Sequence, residues 1–361
     1  MKRYGYLYEK IVDVENCKKA IIETAKHKHR RNYVTEVLTN VDKYSIDLSN
    51  RLKNLDFTSP YREKEIEDGL SHKKRIIQIP KFYPDQCAHH AIVQVLQPYF
   101  RNSFYYWSCS NIKGKGIDFA SKGMERVTKG KGIKYCLKLD IKKFYPSVDN
   151  RILKTFIRKK VKDNKALEII DRIIDTSNGL PIGNYTSPFF AEIYLRPLDC
   201  FIKSNLHIKH YIRYADDMVL MGNNKRKLHN AFNKINKFVK DELNMDIKSN
   251  YQLFRVAKDG KYRKIDFIGR CYANGYTTIR KRRALALMKQ SRTIKKLQYR
   301  NIPLNYHMCA SFISRASAFK HTNSYAMKIK YFYSIDINKL KDVIRREQCG
   351  KLQKVQLNLK Y

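Results

Sequence analysis

The sequence predicts a mixed α/β (α+β) fold in which a few short strands are set among many helices. Three observations carry this. Apolar residues recur at helical spacing through residues 7–25 and 30–54, as at Val34, Val37, Leu38 and Val41. Two β-prone stretches, 133–140 and 210–221, end or turn on aspartates. The chain beyond residue 280 is helical in pattern and strongly basic. There is no internal repeat and no Gly/Ser linker. The expected organisation is a helical N-terminal region over 1–70, a mixed region over 71–280 and a helical basic region over 281–361.

Taken in order, residues 74–80 (Lys-Arg-Ile-Ile-Gln-Ile-Pro) read as a short strand closed by proline. Residues 86–100 read as a helix through Ala88, Ile92, Val95 and Leu96. Residues 111–117, Asn-Ile-Lys-Gly-Lys-Gly-Ile, form a basic glycine loop. Residues 133–140 alternate as a strand and end on Asp140, with a helical stretch at 151–175. The loop 179–188, Gly-Leu-Pro-Ile-Gly-Asn-Tyr-Thr-Ser-Pro, opens a helix to about Leu198. Residues 210–221 place Ala-Asp-Asp between two β-prone arms, the pattern of a tight hairpin. A helix is expected over 225–243 and a second hairpin over 264–280, around Asn274-Gly275.

Charge narrows the function. The chain of 361 residues carries 74 Lys and Arg against 33 Asp and Glu, a net charge of +41. Such an excess points to a polyanionic partner, of which nucleic acid is the commonest. From Phe267 to Ile335 there are 14 Lys or Arg residues and no Asp or Glu, a repulsion that a bound phosphate backbone would offset. No run of roughly 18 apolar residues exists, so no membrane span and no membrane partner are expected. The start, Met-Lys-Arg-Tyr, leads into mixed charged sequence, which points to the cytoplasm rather than secretion. The eight cysteines contain no Cys-x-x-Cys pair, so neither a zinc site nor a disulfide framework is indicated.

In so basic a chain, acids at strand ends stand out. Asp140 ends one strand, and Asp216 and Asp217 sit at a hairpin tip. Clustered carboxylates repel and raise one another's pKa, a conflict that a divalent cation resolves. Mg²⁺ takes hard oxygen ligands, usually one or two carboxylates with substrate phosphates. Two such ions about 3.5–4 Å apart stabilise the attacking and leaving oxygens of phosphoryl or nucleotidyl transfer.

These residues also carry a family resemblance. Tyr214-Ala215-Asp216-Asp217, within Ile-Arg-Tyr-Ala-Asp-Asp-Met-Val-Leu, resembles the catalytic hairpin of reverse transcriptases. The stretch Leu139 to Asp149 resembles the preceding catalytic strand, and Gly-Leu-Pro-Ile-Gly-x-x-x-Ser-Pro the template- and nucleotide-handling motif between them. Lys74-Arg75-Ile-Ile-x-Ile-Pro is similar to the fingers strand, and Asp266-Phe267-Ile268-Gly269 to the primer-grip hairpin. Order and spacing agree over residues 70–285.

The resemblance implies a right-hand polymerase with fingers and palm over 71–280 and a basic helical thumb over 281–361. It implies that Asp140 and Asp216 hold two Mg²⁺ ions, or Mn²⁺ in their place, with Asp217 in support and the Ile141 carbonyl as a further ligand. Tyr145, five residues past Asp140, becomes the steric gate against a sugar 2′-hydroxyl, with Phe144 beside it in the nucleotide pocket. Arg75, backed by Lys74, pairs with the triphosphate, and Gly183 lets backbone approach the incoming nucleotide or template. Lys248 matches the lysine assigned as general acid for pyrophosphate departure. Lys113 and Lys115, and Arg280, Lys281, Arg282 and Arg283, are the expected nucleic-acid contacts. The implied partners are an RNA template, dNTPs and a DNA product, with a homo-oligomer, an accessory protein or a second polymerase as further candidates.

Two bacterial groups are similar. Ser314 to Tyr325 and Gly275 to Arg282 resemble the thumb of diversity-generating retroelement enzymes, and Ile182 fits their version of the central loop. Pro188 follows the general version, and Ala191-Glu192-Ile193-Tyr194-Leu195 resembles the defence-associated, antiphage set. The reading favours defence with a noncoding RNA template. The alternatives are the diversity-generating type, a template-independent or protein-primed polymerase using one of 26 tyrosines, and an inactive RNA-binding scaffold.

Overall fold

The structure, a computed structural model, describes residues 3–28, 31–67, 74–130, 132–258, 260–319 and 322–358, with side chains through residue 347. The chain falls into two compact units: Met1–Gly123 with Lys134–Phe254, and Met124–Ile133 with Arg255–Tyr361.

The first unit opens with four helices, α1 (Tyr8–Val12), α2 (Val14–Ala25), α3 (Asn32–Thr39) and α4 (Val41–Lys53). Each of the two expected helical stretches is therefore broken once. Asp13 ends α1 and caps α2, its carboxylate accepting from the Asn16 N–H at 2.9 Å. The N-terminal region is not wholly helical. Strand β1 (Arg62–Glu67) pairs antiparallel with β2 (Lys74–Ile79). Every residue of β1 is exposed and five of the six are charged, so no apolar alternation announced it.

Next come α5 (Cys87–Arg101) and α6 (Ile117–Lys129), within which the chain passes into the second unit. Strand β3 (Tyr135–Asp140) returns it to the first. The expected helix at 151–175 is two, α7 (Asn150–Arg158) and α8 (Asn164–Ile174). Asp163 divides them: it caps α8 and accepts the Leu7 and Tyr8 N–H groups at 2.7 and 2.8 Å. Helix α9 (Thr186–Cys200) precedes the hairpin β4 (His210–Tyr214) and β5 (Asp217–Gly222), then α10 (Lys225–Leu243) and β6 (Gln252–Arg255).

The central sheet has the order β4-β5-β3-β6. Helix α10 packs against β3 and β5, and the core joins Leu137, Leu139, Met218 and Leu220 of the sheet to Phe190, Leu195, Ile235 and Val239 of the helices. The outer edge of β4 is occupied. The Arg213 N–H donates to the Trp107 carbonyl at 3.0 Å, the Cys109 N–H to the Arg213 carbonyl at 2.8 Å, and the Tyr105 hydroxyl to the Tyr211 carbonyl at 2.8 Å.

In the second unit the expected hairpin at 264–280 is a three-stranded meander, β7 (Ile265–Phe267), β8 (Arg270–Ala273) and β9 (Tyr276–Ile279). The extra strand arises because Ile268 and Gly269 turn with φ of +48° and +79°. Helices α11 (Lys281–Tyr299), α12 (Tyr306–Ser317), α13 (Tyr325–Lys328) and α14 (Ile337–Asn358) follow, with Leu287, Ile294, Cys309, Phe312 and Leu340 in their core. Of the thumb-like stretch 314–325, residues 320 and 321 lie outside the described residues. Asn323 ties that stretch to β9, its N–H donating to the Thr277 carbonyl at 2.7 Å and its side chain accepting the Thr277 N–H at 2.9 Å. Among the described residues no helix is long and apolar enough to cross a membrane.

Candidate active site

The three aspartates meet in the first unit because of strand register. Antiparallel pairing of β3 with β5 sets Asp140 opposite Asp217. Tyr214 pairs with Asp217, leaving Ala215 and Asp216 as a two-residue turn. Directly opposed residues share a sheet face with Cα atoms about 4.5–5.5 Å apart. Asp216 is held above its ordinary value, first by burial and then by the neighbouring Asp140 charge. Asp217 is pushed up from 3.8 to about 6, chiefly by burial, with Lys138 opposing.

Two cations answer this charge. Lys248 is anchored twice to Asp140: its N–H donates to the Asp140 carbonyl at 2.9 Å and its ammonium to the Asp140 carboxylate. Lys248, expected as an acid facing a leaving group, is therefore the partner of Asp140 here. Lys138, two residues before Asp140, lies diagonally across from Asp217 and pairs with it at 3.4 Å.

The donor set suits a hard divalent ion. Asp140 Oδ1 and Asp217 Oδ1 are buried yet accept no hydrogen bond. Among the described residues no three His, Cys, Asp or Glu side chains form a cage able to hold a metal alone. A Mg²⁺ site drawing on one or two carboxylates, waters and substrate phosphates needs no such cage. Bonds from the Lys142 N–H to the Asp246 carbonyl (2.8 Å) and from Lys248 to Asp140 flank Ile141. In this antiparallel pattern the Ile141 carbonyl is turned away from Ile247, toward β5.

Tyr145 stands beside the carboxylates. Its hydroxyl is pushed up to about 12 by burial and by the Asp216 charge, while a hydrogen bond from Asn111 acts the other way. Its carbonyl accepts the Leu180 N–H at 2.8 Å, joining it to the central loop. Phe144 does not share its position. It is 3% exposed and packs edge-on to Tyr145 at 5.3 Å, so it supports Tyr145 from the core and does not line the expected nucleotide pocket.

Gly183 makes its close approach to protein. A Cβ there would lie 2.2 Å from the Gln78 carbonyl of β2, and the Gln78 N–H donates to the Ile182 carbonyl at 2.8 Å. The central loop is thereby fastened to β2, which carries Lys74 and Arg75. Both are exposed, and Lys74 is bound to Glu65 at 2.8 Å.

In the basic loop Lys113 is exposed. Lys115 folds back, donating to the Tyr106 carbonyl at 2.9 Å with its ammonium 4.9 Å from the Tyr106 ring centre, so it braces the loop. In the second unit Arg280 is held by Asp266 through Nε at 2.9 Å and Nη2 at 2.6 Å. Arg283 lies over Gly269, where a Cβ would fall 2.4 Å from its guanidinium. Lys281 and Arg282 are exposed.

Sequence reasoning missed Lys138, Asn111 and Arg213. Strand alternation places Lys138 on the face of Asp140 and could have found it. Asn111 acts on a residue distant in sequence, and Arg213 is anchored by Glu192 and Asp199, 21 and 14 residues away, neither of which leaves a local signal.

Residues 64–270, more than half of the chain, match the family model described as reverse transcriptase (RNA-dependent DNA polymerase). The retron Ec73 reverse transcriptase of Escherichia coli is 31% identical over 137 residues, covering 34% of this chain and 43% of that protein. The chain thus spans less than half the length of that relative. The solved apo telomerase of Candida tropicalis is similar in fold, with a TM-score of 0.50 at 16% identity over 84% of this chain and 59% of that one. Paired carboxylates at the end of β3 and the tip of the β4–β5 turn stand inside the matched span, and the chain belongs to the reverse transcriptase family.

Proposed function

We propose that this protein is an RNA-directed DNA polymerase that extends DNA by two-metal nucleotidyl transfer. The observation that carries the reading is the convergence of Asp140, Asp216 and Asp217 with two buried carboxylate oxygens left without donors, within a chain of this family. Asp140, Asp216 and the Ile141 carbonyl would hold two Mg²⁺ ions, or Mn²⁺, with Asp217 beside them. When bound, such a pair stabilises the attacking and leaving oxygens of the transfer.

The chain's own residues do the rest. Tyr145, fixed by Asn111 and Leu180, excludes a ribose 2′-hydroxyl by bulk. Arg75 grips the triphosphate with a guanidinium fork, and Lys74 seconds it. Lys248 neutralises Asp140 and keeps an ammonium at the site where pyrophosphate would leave. Lys113, Lys281 and Arg282 meet nucleic-acid phosphates, while Lys115, Arg280 and Arg283 shape the surfaces around them. In this reading residues 71–280 are fingers and palm, and 281–361 the thumb.

Similarity to a retron enzyme favours a bacterial, cytoplasmic polymerase copying a dedicated noncoding RNA in antiphage defence over a diversity-generating one. Asp216→Ala tests the chemistry. Incorporation of dNTPs on a primed RNA template is expected to fall by at least about a thousandfold, with RNA affinity within about twofold of the parent. Full activity in the variant refutes the site. A parent that binds RNA and incorporates nothing supports the scaffold reading. Sequencing the RNA and DNA that co-purify identifies template and product.

A further inference from the structure

Behind the carboxylates lies a buried charge cluster that metal binding does not use. Arg213, on β4, is 1% exposed. Its Nε and Nη2 grip Asp199 at 2.9 and 2.6 Å, and Nη2 also reaches Glu192 at 2.9 Å. Glu192 and Asp199 lie about two turns apart on α9 and so share one face. The Tyr211 hydroxyl donates to Asp199 at 2.7 Å and the Ser108 hydroxyl to Glu192. One cation and two hydroxyls thus satisfy two buried carboxylates.

A cluster serving only to fasten α9 to the sheet would end there. Arg213 goes further: Nη1 donates to the Ala215 carbonyl at 3.0 Å. Ala215 is the first residue of the catalytic turn and has φ of +53°, where a two-residue hairpin ordinarily carries glycine or asparagine. A side chain with a Cβ is disfavoured there, so the turn needs support from outside itself. The Ala215 carbonyl belongs to the peptide unit whose nitrogen is that of Asp216. Holding that oxygen fixes the plane from which the Asp216 side chain departs.

We propose that Arg213 is the positioning residue of the catalytic turn: its guanidinium, clamped by Asp199 and Glu192, fixes the Ala215–Asp216 peptide and so sets where the Asp216 carboxylate meets that of Asp140. This rests on the polymerase reading above. At 1% exposure Arg213 is closed off from the surface and acts through the turn. A displacement of about 1 Å at a reacting group can cost on the order of a hundredfold in rate, which gives such a residue leverage.

The test is Arg213→Lys, which keeps the charge but replaces the planar fork that reaches Asp199 and the Ala215 carbonyl from separate nitrogens with one rotatable ammonium. If that variant does not fold, the pair Arg213→Met with Asp199→Asn, which keeps the cluster's net charge, takes its place. Two readouts are needed. Hydrogen exchange of peptides covering 214–218 in the metal-free protein is expected to quicken by about tenfold or more, while the rest of β4 and β5 stays protected. On primed RNA, kcat is expected to fall by about ten- to a hundredfold with the dNTP KM within about threefold, and the Mg²⁺ concentration for half-maximal rate to rise. Unchanged exchange at the turn overturns the proposal, as does a quickened turn with parental kcat and Mg²⁺ dependence. A parent without dNTP incorporation overturns the polymerase reading itself, and is distinguished by the parent's own assay.

Discussion

Asp217 sits in this fold at a cost that a neighbouring cation would remove. Its carboxyl is raised from 3.8 to about 6 because burial outweighs the help of Lys138. The sign follows directly. The folded protein holds this proton more tightly than the unfolded chain, so between about pH 4 and 6 rising pH costs stability through this group. Above pH 6 the whole cost is present. Asp217→Asn is therefore expected to raise the melting temperature of the metal-free protein at pH 7.5 by on the order of 2 °C. The advantage should vanish below pH 4, and melting curves across that range measure it. A variant less stable than the parent at pH 7.5 would mean that the Lys138 pair outweighs burial.

At the scale of elements, the hairpin β1–β2 depends on one glycine of another segment. Gly183 has φ of +130° and no room for a Cβ beside the Gln78 carbonyl. Gly183→Ala is expected to cost about 2–3 kcal/mol and to loosen β2 from the central loop. Urea unfolding measures the loss, and limited proteolysis should cut residues 62–79 sooner. Strands that carry the chemistry were legible because apolar alternation ran straight into an aspartate, as at Leu137, Leu139 and Asp140. Strand β1 was illegible because Arg62 to Glu67 offer no buried face, and only pairing with β2 makes a strand of them. The break at Asp163 and the extra turn at Ile268-Gly269 escaped for a related reason. The first depends on Leu7 and Tyr8, distant in sequence, and the second on a two-residue turn whose first position is Ile268, a β-branched residue that reads as strand. Arg213 was hidden by abundance, one cation among 74 Lys and Arg, and only its burial at 1% exposure against Glu192 and Asp199 marks it out.

At the scale of the whole molecule, the net charge of +41 governs the encounter with nucleic acid. Each phosphate neutralised releases condensed counterions, so affinity for RNA is expected to fall by about a hundredfold or more between 50 and 200 mM salt. Filter binding or fluorescence anisotropy across that range gives the slope, and a flat response would contradict a phosphate-dominated interface. The acid-free stretch from Phe267 to Ile335 should account for much of it, since 14 of the cations lie there.

The segment Trp107 to Cys109, with Tyr105, has a bearing on assembly. By consuming the outward N–H and carbonyl of Arg213 and the carbonyl of Tyr211, it leaves the middle of β4 no vacant ladder for a foreign strand. A strand from a companion protein or second copy would therefore have to displace this segment before it could add to β4 at Arg213.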